Sequence, residues 1–402
     1  ILQNKLEIKN YSSRDILIVL GIILISKSLY YESYGGSFLL IGLFFLLAFI
    51  IVPNIKNLKV DKIILLYSLS LLSIILMNAE PSYKQWLILL VRMLIAIMII
   101  HLISFERFSN AFIKIMLVLS VISWSALAMI YFNVQSPLPA FTSEHYIEDV
   151  QGRILRNFIF FGVDEGLITY NILRVSSLWW EPGAFQLFVN LAFAFSLINN
   201  TISKQKYIIF LITILATLST TGVIVFVLLS IIFFKKYFKL NNPILYLIPF
   251  FFIIFGTIFI APEIYGKLTS LSFLSRYHDI LISIHMFSEN FFLGYGYGTQ
   301  VEKAIPYGLK LLGSELYYMM PPAGTDGITM FIAQVGVLGF IFIIPFLIPK
   351  YFNHLNLGVR VLISLSLFLM FNTQHFTQML IFTVLTFYGL IGNKKIIYQD
   401  KE

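Results

Sequence analysis

Three stretches of this sequence gather residue types that can stabilise or move charge. The first is RVSSLWWEPGAF, residues 174–185. Arg174 carries a planar guanidinium fork suited to bidentate contact with phosphate. Pro182 suits the first turn of a helix, which puts Glu181 at that helix's positive end, where the dipole favours a carboxylate. Glu181 reads either as a reactive carboxylate or as a cap behind an interfacial aromatic belt formed by Trp179 and Trp180. The second stretch, residues 275–298, reads as a helix followed by a glycine turn. Arg276 and Asp279 share one helical face, as do His278 and His285. Gly294, Gly296 and Gly298 alternate with Tyr295 and Tyr297, a pattern that lets backbone approach a ligand while rings stack on sugar. The plain alternative is an interfacial amphipathic helix with a surface ion pair, closed by a structural turn. The third stretch is PPAGTDG, residues 321–327, in which Asp326 serves as base or as helix cap.

Arg92 stands apart from these, inside an apolar run and about 9 Å below its outer end. A buried arginine at such depth is costly and functional by default. Lys27 and Arg360 lie close enough to run ends to snorkel. Ser219, Thr220 and Thr221, and again Asn372, Gln374 and His375, collect polar groups at outer turns, either lining one cavity or solvating those turns. Ala261 replaces the first glycine that a phosphate-binding loop would need before Gly266 and Lys267. There is no HExxH and no cysteine, and the chemistry requires neither metal nor cofactor.

The elements that must position these residues are membrane helices. The chain has 402 residues, 58% hydrophobic and 12% charged, about half the usual ~25% charged share of a soluble protein. Twelve apolar runs fall near residues 15–31, 37–53, 63–77, 85–103, 112–132, 183–199, 207–220, 222–234, 243–261, 328–349, 358–371 and 376–391. The expected fold is an all-α polytopic helical bundle of about 12 transmembrane helices, a single domain over residues 1–402. No cleavable signal peptide is visible, so the first helix is expected to act as the insertion signal. With both termini cytoplasmic, the inner side holds 18 basic and 6 acidic residues and the outer side 8 basic and 14 acidic, as the positive-inside rule requires. Two long connections, residues 133–182 and 262–327, then fall outside and are expected to hold short helices packed on the bundle's outer end. The net charge of +8 is scattered as single residues, which excludes a nucleic-acid surface. Neither an internal repeat nor a pair of broken helices of the inverted-repeat transporter kind is evident.

In their order and topology, these residues resemble the O-antigen polymerase and O-antigen ligase superfamily, most clearly over residues 170–349. The matching pieces are Arg174 through Glu181 and Pro182, the turn LSTTG at residues 218–222, Arg276 through Gly296, and Thr325 and Asp326 before GVLG at residues 336–339. The resemblance implies a glycosyltransferase of the bacterial inner membrane with its site facing the periplasm. Its substrate would be undecaprenyl-pyrophosphate-linked oligosaccharide within membrane lipid, and a chain-length regulator would be a partner. Thr325 and Asp326 stand where ligases typically place His-Asn, which favours polymerase over ligase. On this reading Arg174 and Arg276, helped by Arg92, hold the pyrophosphate. Glu181 or Asp326 orients or deprotonates the acceptor hydroxyl, and His278, Tyr295 and Tyr297 contact glycan. From other classes, a flippase for the same lipid-linked glycans also fits twelve helices, and a scaffold would leave Arg92 and the two arginine-bearing loops without purpose.

Overall fold

The computed structural model describes residues 12–26, 28, 36–51, 61–77, 83–132, 146–148, 154–158, 161–164, 174–179, 181–238, 271–297, 309–310, 327–372 and 379–392. Eleven of the twelve apolar runs are helices: α1 (Ser13–Ile25), α2 (Gly36–Ile51), α3 (Lys62–Met77), α4 (Tyr83–Leu102), α5 (Phe105–Tyr131), α6 (Pro182–Ile198), α7 (Lys204–Thr217), α8 (Thr220–Phe238), α10 (Ile328–Leu347), α11 (Leu357–Asn372) and α12 (Leu380–Ile391). The run at 243–261 lies outside the described residues. Helix α9 (Leu271–Glu289) belongs to the second long connection. Three segments, Tyr83–Leu102, Phe105–Ala128 and Ile328–Phe352, are long and apolar enough to cross a membrane, and several shorter helices are equally apolar.

Helix α6 is the centre of the bundle. Every one of its residues except Gly183 is buried, as expected of a helix apolar around its whole circumference, and it packs against α5, α7, α8 and α11. An aromatic stack fixes α5 to the far end of the bundle: Phe105 lies over Tyr351 at 3.8 Å between ring centroids, and the Tyr388 hydroxyl donates to the Ile103 carbonyl at 2.9 Å. At the same end Asp15, fully buried, closes the capping box of α1 with Ser12. Its Oδ2 also accepts from Arg107 Nε at 2.8 Å and lies 2.7 Å from the terminal guanidinium nitrogen, which ties α1 to α5.

The first long connection departs from the all-α expectation. Its described residues form a four-stranded antiparallel meander of β1 (Tyr146–Glu148), β2 (Ile154–Phe158), β3 (Phe161–Asp164) and β4 (Arg174–Ser177). Segments of three to five residues are too short to complete a cooperative helix but can join a ladder. The register sets Asp164 opposite Arg174.

In the second connection α9 runs alongside α10 and in the same direction. Ser283 reaches Met330, Ile282 and Met286 meet Ala333, and Phe291 accepts from the Val337 N–H at 2.7 Å. There α10 is broken: Gly336 has φ 72° and ψ −169°. The N–H groups of Tyr295 and Gly296 donate to the carbonyls of Ala333 and Gln334, both at 3.0 Å, so the turn after α9 satisfies the backbone that the break releases.

Candidate functional site

The site assembles where β4 enters α6. Trp179, for which an interfacial aromatic belt is one reading, is the anchor of this junction. It is fully buried, stacks on Phe188 at 4.3 Å and donates from Nε1 to the Ser26 carbonyl at 3.1 Å. With β4 thus pinned, Arg174 is half-buried and its Nε donates to the Thr217 carbonyl at 3.2 Å. That carbonyl is at the last residue of α7, and the chain then turns through Leu218 in the left-handed region. Orphan carbonyls at a helix C-terminus favour a cation, so the turn both anchors Arg174 and orients it.

Glu181 occupies the N-cap position of α6, with Pro182 opening the helix as its position suggested. Its side chain makes no capping hydrogen bond, and its backbone carbonyl accepts from Ala184 and Phe185. The cap reading therefore holds for the backbone and not for the carboxylate.

A polar relay joins α6 to the LSTTG turn. Gln186 Nε2 donates to the Gly183 carbonyl at 2.9 Å. Asn190 Nδ2 donates to Gln186 Oε1 at 3.0 Å and to the Gly222 carbonyl at 3.0 Å. On the turn, the Gly222 N–H donates to Ser219 Oγ at 3.3 Å and the Ser219 N–H to Thr217 Oγ1 at 3.4 Å. Gly222 packs closely at this contact: a Cβ there would stand 3.0 Å from Gln186 Cβ, so Gln186 would have to shift. The hydroxyls of Ser176 and Ser177 and Oδ1 of Asn190 are buried with no hydrogen-bond partner among the described residues. Ser177 also holds φ 53°, a conformation that a non-glycine residue rarely adopts without compensation.

Two of the four motif pieces, Arg174–Pro182 and LSTTG, therefore meet in space. The other two meet elsewhere. The turn following Arg276 docks on α10 at Gly336, the first glycine of GVLG. His278 is 3% exposed with Nδ1 unpartnered among the described residues, and Asp279 is fully buried. His285 lies 3.5 Å from Glu289. Tyr295 donates to Glu289 Oε2 at 3.0 Å, while Tyr297 is buried edge-on to Phe331. Arg276 lies on α9 by its backbone. Asp326 and Thr325 lie outside the described residues; the N-cap of α10 is Gly327, and the Thr329 N–H is met by Asn372 Oδ1 at 3.4 Å.

Arg92 is buried at 8% exposure on α4. Since α4 begins at Tyr83, Arg92 lies about 14 Å along it at ~1.5 Å per residue. Helix α4 packs on α12, α2 and α3, away from the β4–α6 junction.

Sequence reasoning missed Gln186 and Asn190, whose signal was a pair of amides four residues apart in an otherwise apolar helix. It also missed the Thr217 carbonyl, which leaves no trace in side-chain chemistry. The chain matches no protein-family model and no curated protein.

Proposed function

We propose that this protein is a bacterial inner-membrane glycosyltransferase that joins undecaprenyl-pyrophosphate-linked repeat units at the extracytoplasmic face. The observation that carries the reading is the convergence of the Arg174–Pro182 segment and the LSTTG turn into one hydrogen-bonded junction. These segments are separate in sequence, and they are the pieces on which the resemblance to O-antigen polymerases rests. The proposed topology has about twelve spans with both termini cytoplasmic. It places this junction at the outer end of the bundle, where lipid-linked units would be delivered.

In the reaction, the acceptor hydroxyl oxygen attacks the anomeric carbon of the donor glycan. A new glycosidic C–O bond forms, the C–O bond to the pyrophosphate breaks, and undecaprenyl pyrophosphate leaves with the electron pair. Arg174 meets the charge developing on that leaving group. Glu181 or Asp326 takes the hydroxyl proton. The fixed Arg174 Nε suits this role, because a preoriented cation does not reorganise during the transfer.

The broken helix α10 favours a second reading, transport of the same lipid-linked glycans without bond chemistry, since discontinuous helices recur at transporter sites. Purified protein in nanodiscs with lipid-linked repeat units separates the readings. Polymerase activity produces a ladder of chain lengths. Transfer only after addition of a lipid A core acceptor indicates a ligase, and movement of intact units between leaflets without transfer indicates a flippase.

A further inference from the structure

Helix α9 has three distinct edges. One, with Ile282, Ser283 and Met286, is buried against α10. A second carries Tyr277 and Ile284, seven residues apart, and the turn beyond the helix adds Phe291 and Phe292; they are 52%, 55%, 46% and 70% exposed. A third carries His285 and Glu289, with Lys310 3.8 Å from Glu289 and 69% exposed.

The exposure of α10 complements this. From Ile328 to Gly339 none of its residues is exposed, whereas Phe340, Ile341, Ile344 and Ile348 beyond the break are. Helix α9 thus packs along the first half of α10, with Tyr277, Ile284, Phe291 and Phe292 exposed there and Phe340, Ile341 and Ile344 exposed on the later half. Helix α10 belongs to one of the segments long and apolar enough to span a membrane. The docking point at Val337 lies about 14 Å along α10, near half of a ~30 Å hydrocarbon core.

We propose that residues 271–297 form a re-entrant hairpin, in which α9 descends through the outer half of the membrane beside α10 and turns back at the Gly336 break. Its Tyr277–Ile284–Phe291–Phe292 edge contacts lipid hydrocarbon, and its His285–Glu289–Lys310 edge faces a water-filled vestibule. Non-helical backbone at that depth is tolerated only where protein satisfies it, and the N–H groups of Tyr295 and Gly296 do so. Charged groups at that depth require water, and they are segregated from the apolar edge. The proposal rests on the reading of the chain as a membrane protein with α10 as a span.

The natural chain has no cysteine, so single spin labels can be placed in the full-length protein in nanodiscs. The variants are Ile284→Cys, Phe291→Cys, His285→Cys and Lys310→Cys, with Ile344→Cys on α10 as the lipid reference. The expected result is several-fold greater oxygen than nickel-chelate accessibility at Ile284→Cys, Phe291→Cys and Ile344→Cys, deeper at Phe291→Cys than at Ile284→Cys, and the reverse preference at His285→Cys and Lys310→Cys. Should Phe291→Cys fold poorly, Phe292→Cys reports the same edge. Water accessibility at Ile284→Cys and Phe291→Cys with Ile344→Cys still in lipid would overturn the hairpin and leave the membrane reading standing. Water accessibility at all three would overturn both.

Discussion

Gly294 and Gly336 meet backbone to backbone, each with a positive φ of 69° and 72°. A Cβ on Gly294 would fall 2.5 Å from the Gln334 carbonyl oxygen and the Gly336 nitrogen, and one on Gly336 would fall 2.6 Å from the Leu293 nitrogen. Neither position accepts a side chain without separating α9 from the break in α10. Gly294→Ala and Gly336→Ala are each expected to destabilise the protein by more than ~1 kcal/mol. Gly42→Ala, on α2 where a Cβ meets nothing within 4 Å, is expected to be stabilising by up to ~1 kcal/mol. Thermal melting in detergent of the three variants checks the opposite signs.

The relay from α6 to the LSTTG turn predicts non-additive losses. Asn190→Leu removes both donations, leaving the Gly222 carbonyl and Gln186 Oε1 buried without their donor, a cost of about 1–3 kcal/mol. Combining it with Gln186→Leu removes a polar group along with its orphaned partner, so the double variant is expected to cost less than the sum of the singles. A double-mutant cycle on unfolding measures this coupling.

Asp15 and Arg107 predict a similar asymmetry at the other end of the bundle. Asp15 is fully buried and the Arg107 side chain is 16% exposed, so removing Asp15 takes away the Arg107 partner, and removing Arg107 leaves Asp15 only the more distant Arg14, at 4.0 Å. Asp15→Asn or Arg107→Leu is expected to lower stability by about 3 kcal/mol. Asp15→Leu combined with Arg107→Leu is expected to recover part of that loss, read again from melting temperatures.

Much of the bundle was legible because apolar runs of helical length have few alternatives, and Pro182 marked the start of α6 by its fixed φ. The glycine turn after α9 was legible for the same local reason, with Gly294 and Gly296 supplying positive φ. The sheet was not, because β1 to β4 are short segments whose pairing is set by partners rather than by any one strand's pattern. Nor was the break in α10: Gly336 sits in an apolar stretch that reads as unbroken helix, and what permits the break is a turn more than forty residues earlier. Of the candidate site, Arg174 and Glu181 announced themselves by charge and by the proline that follows. The partner that fixes Arg174 is a main-chain carbonyl at Thr217, which any residue could supply, and the amides of α6 were visible but had no partner in sequence to give them meaning.

The most direct test of the proposed function is the rate of chain extension by Arg174→Ala relative to the natural protein, in nanodiscs with lipid-linked repeat units and with folding confirmed by melting. Loss of about 100-fold or more in a folded variant is expected if this guanidinium stabilises the departing pyrophosphate. A folded Arg174→Ala protein that builds the same ladder at the same rate would contradict it.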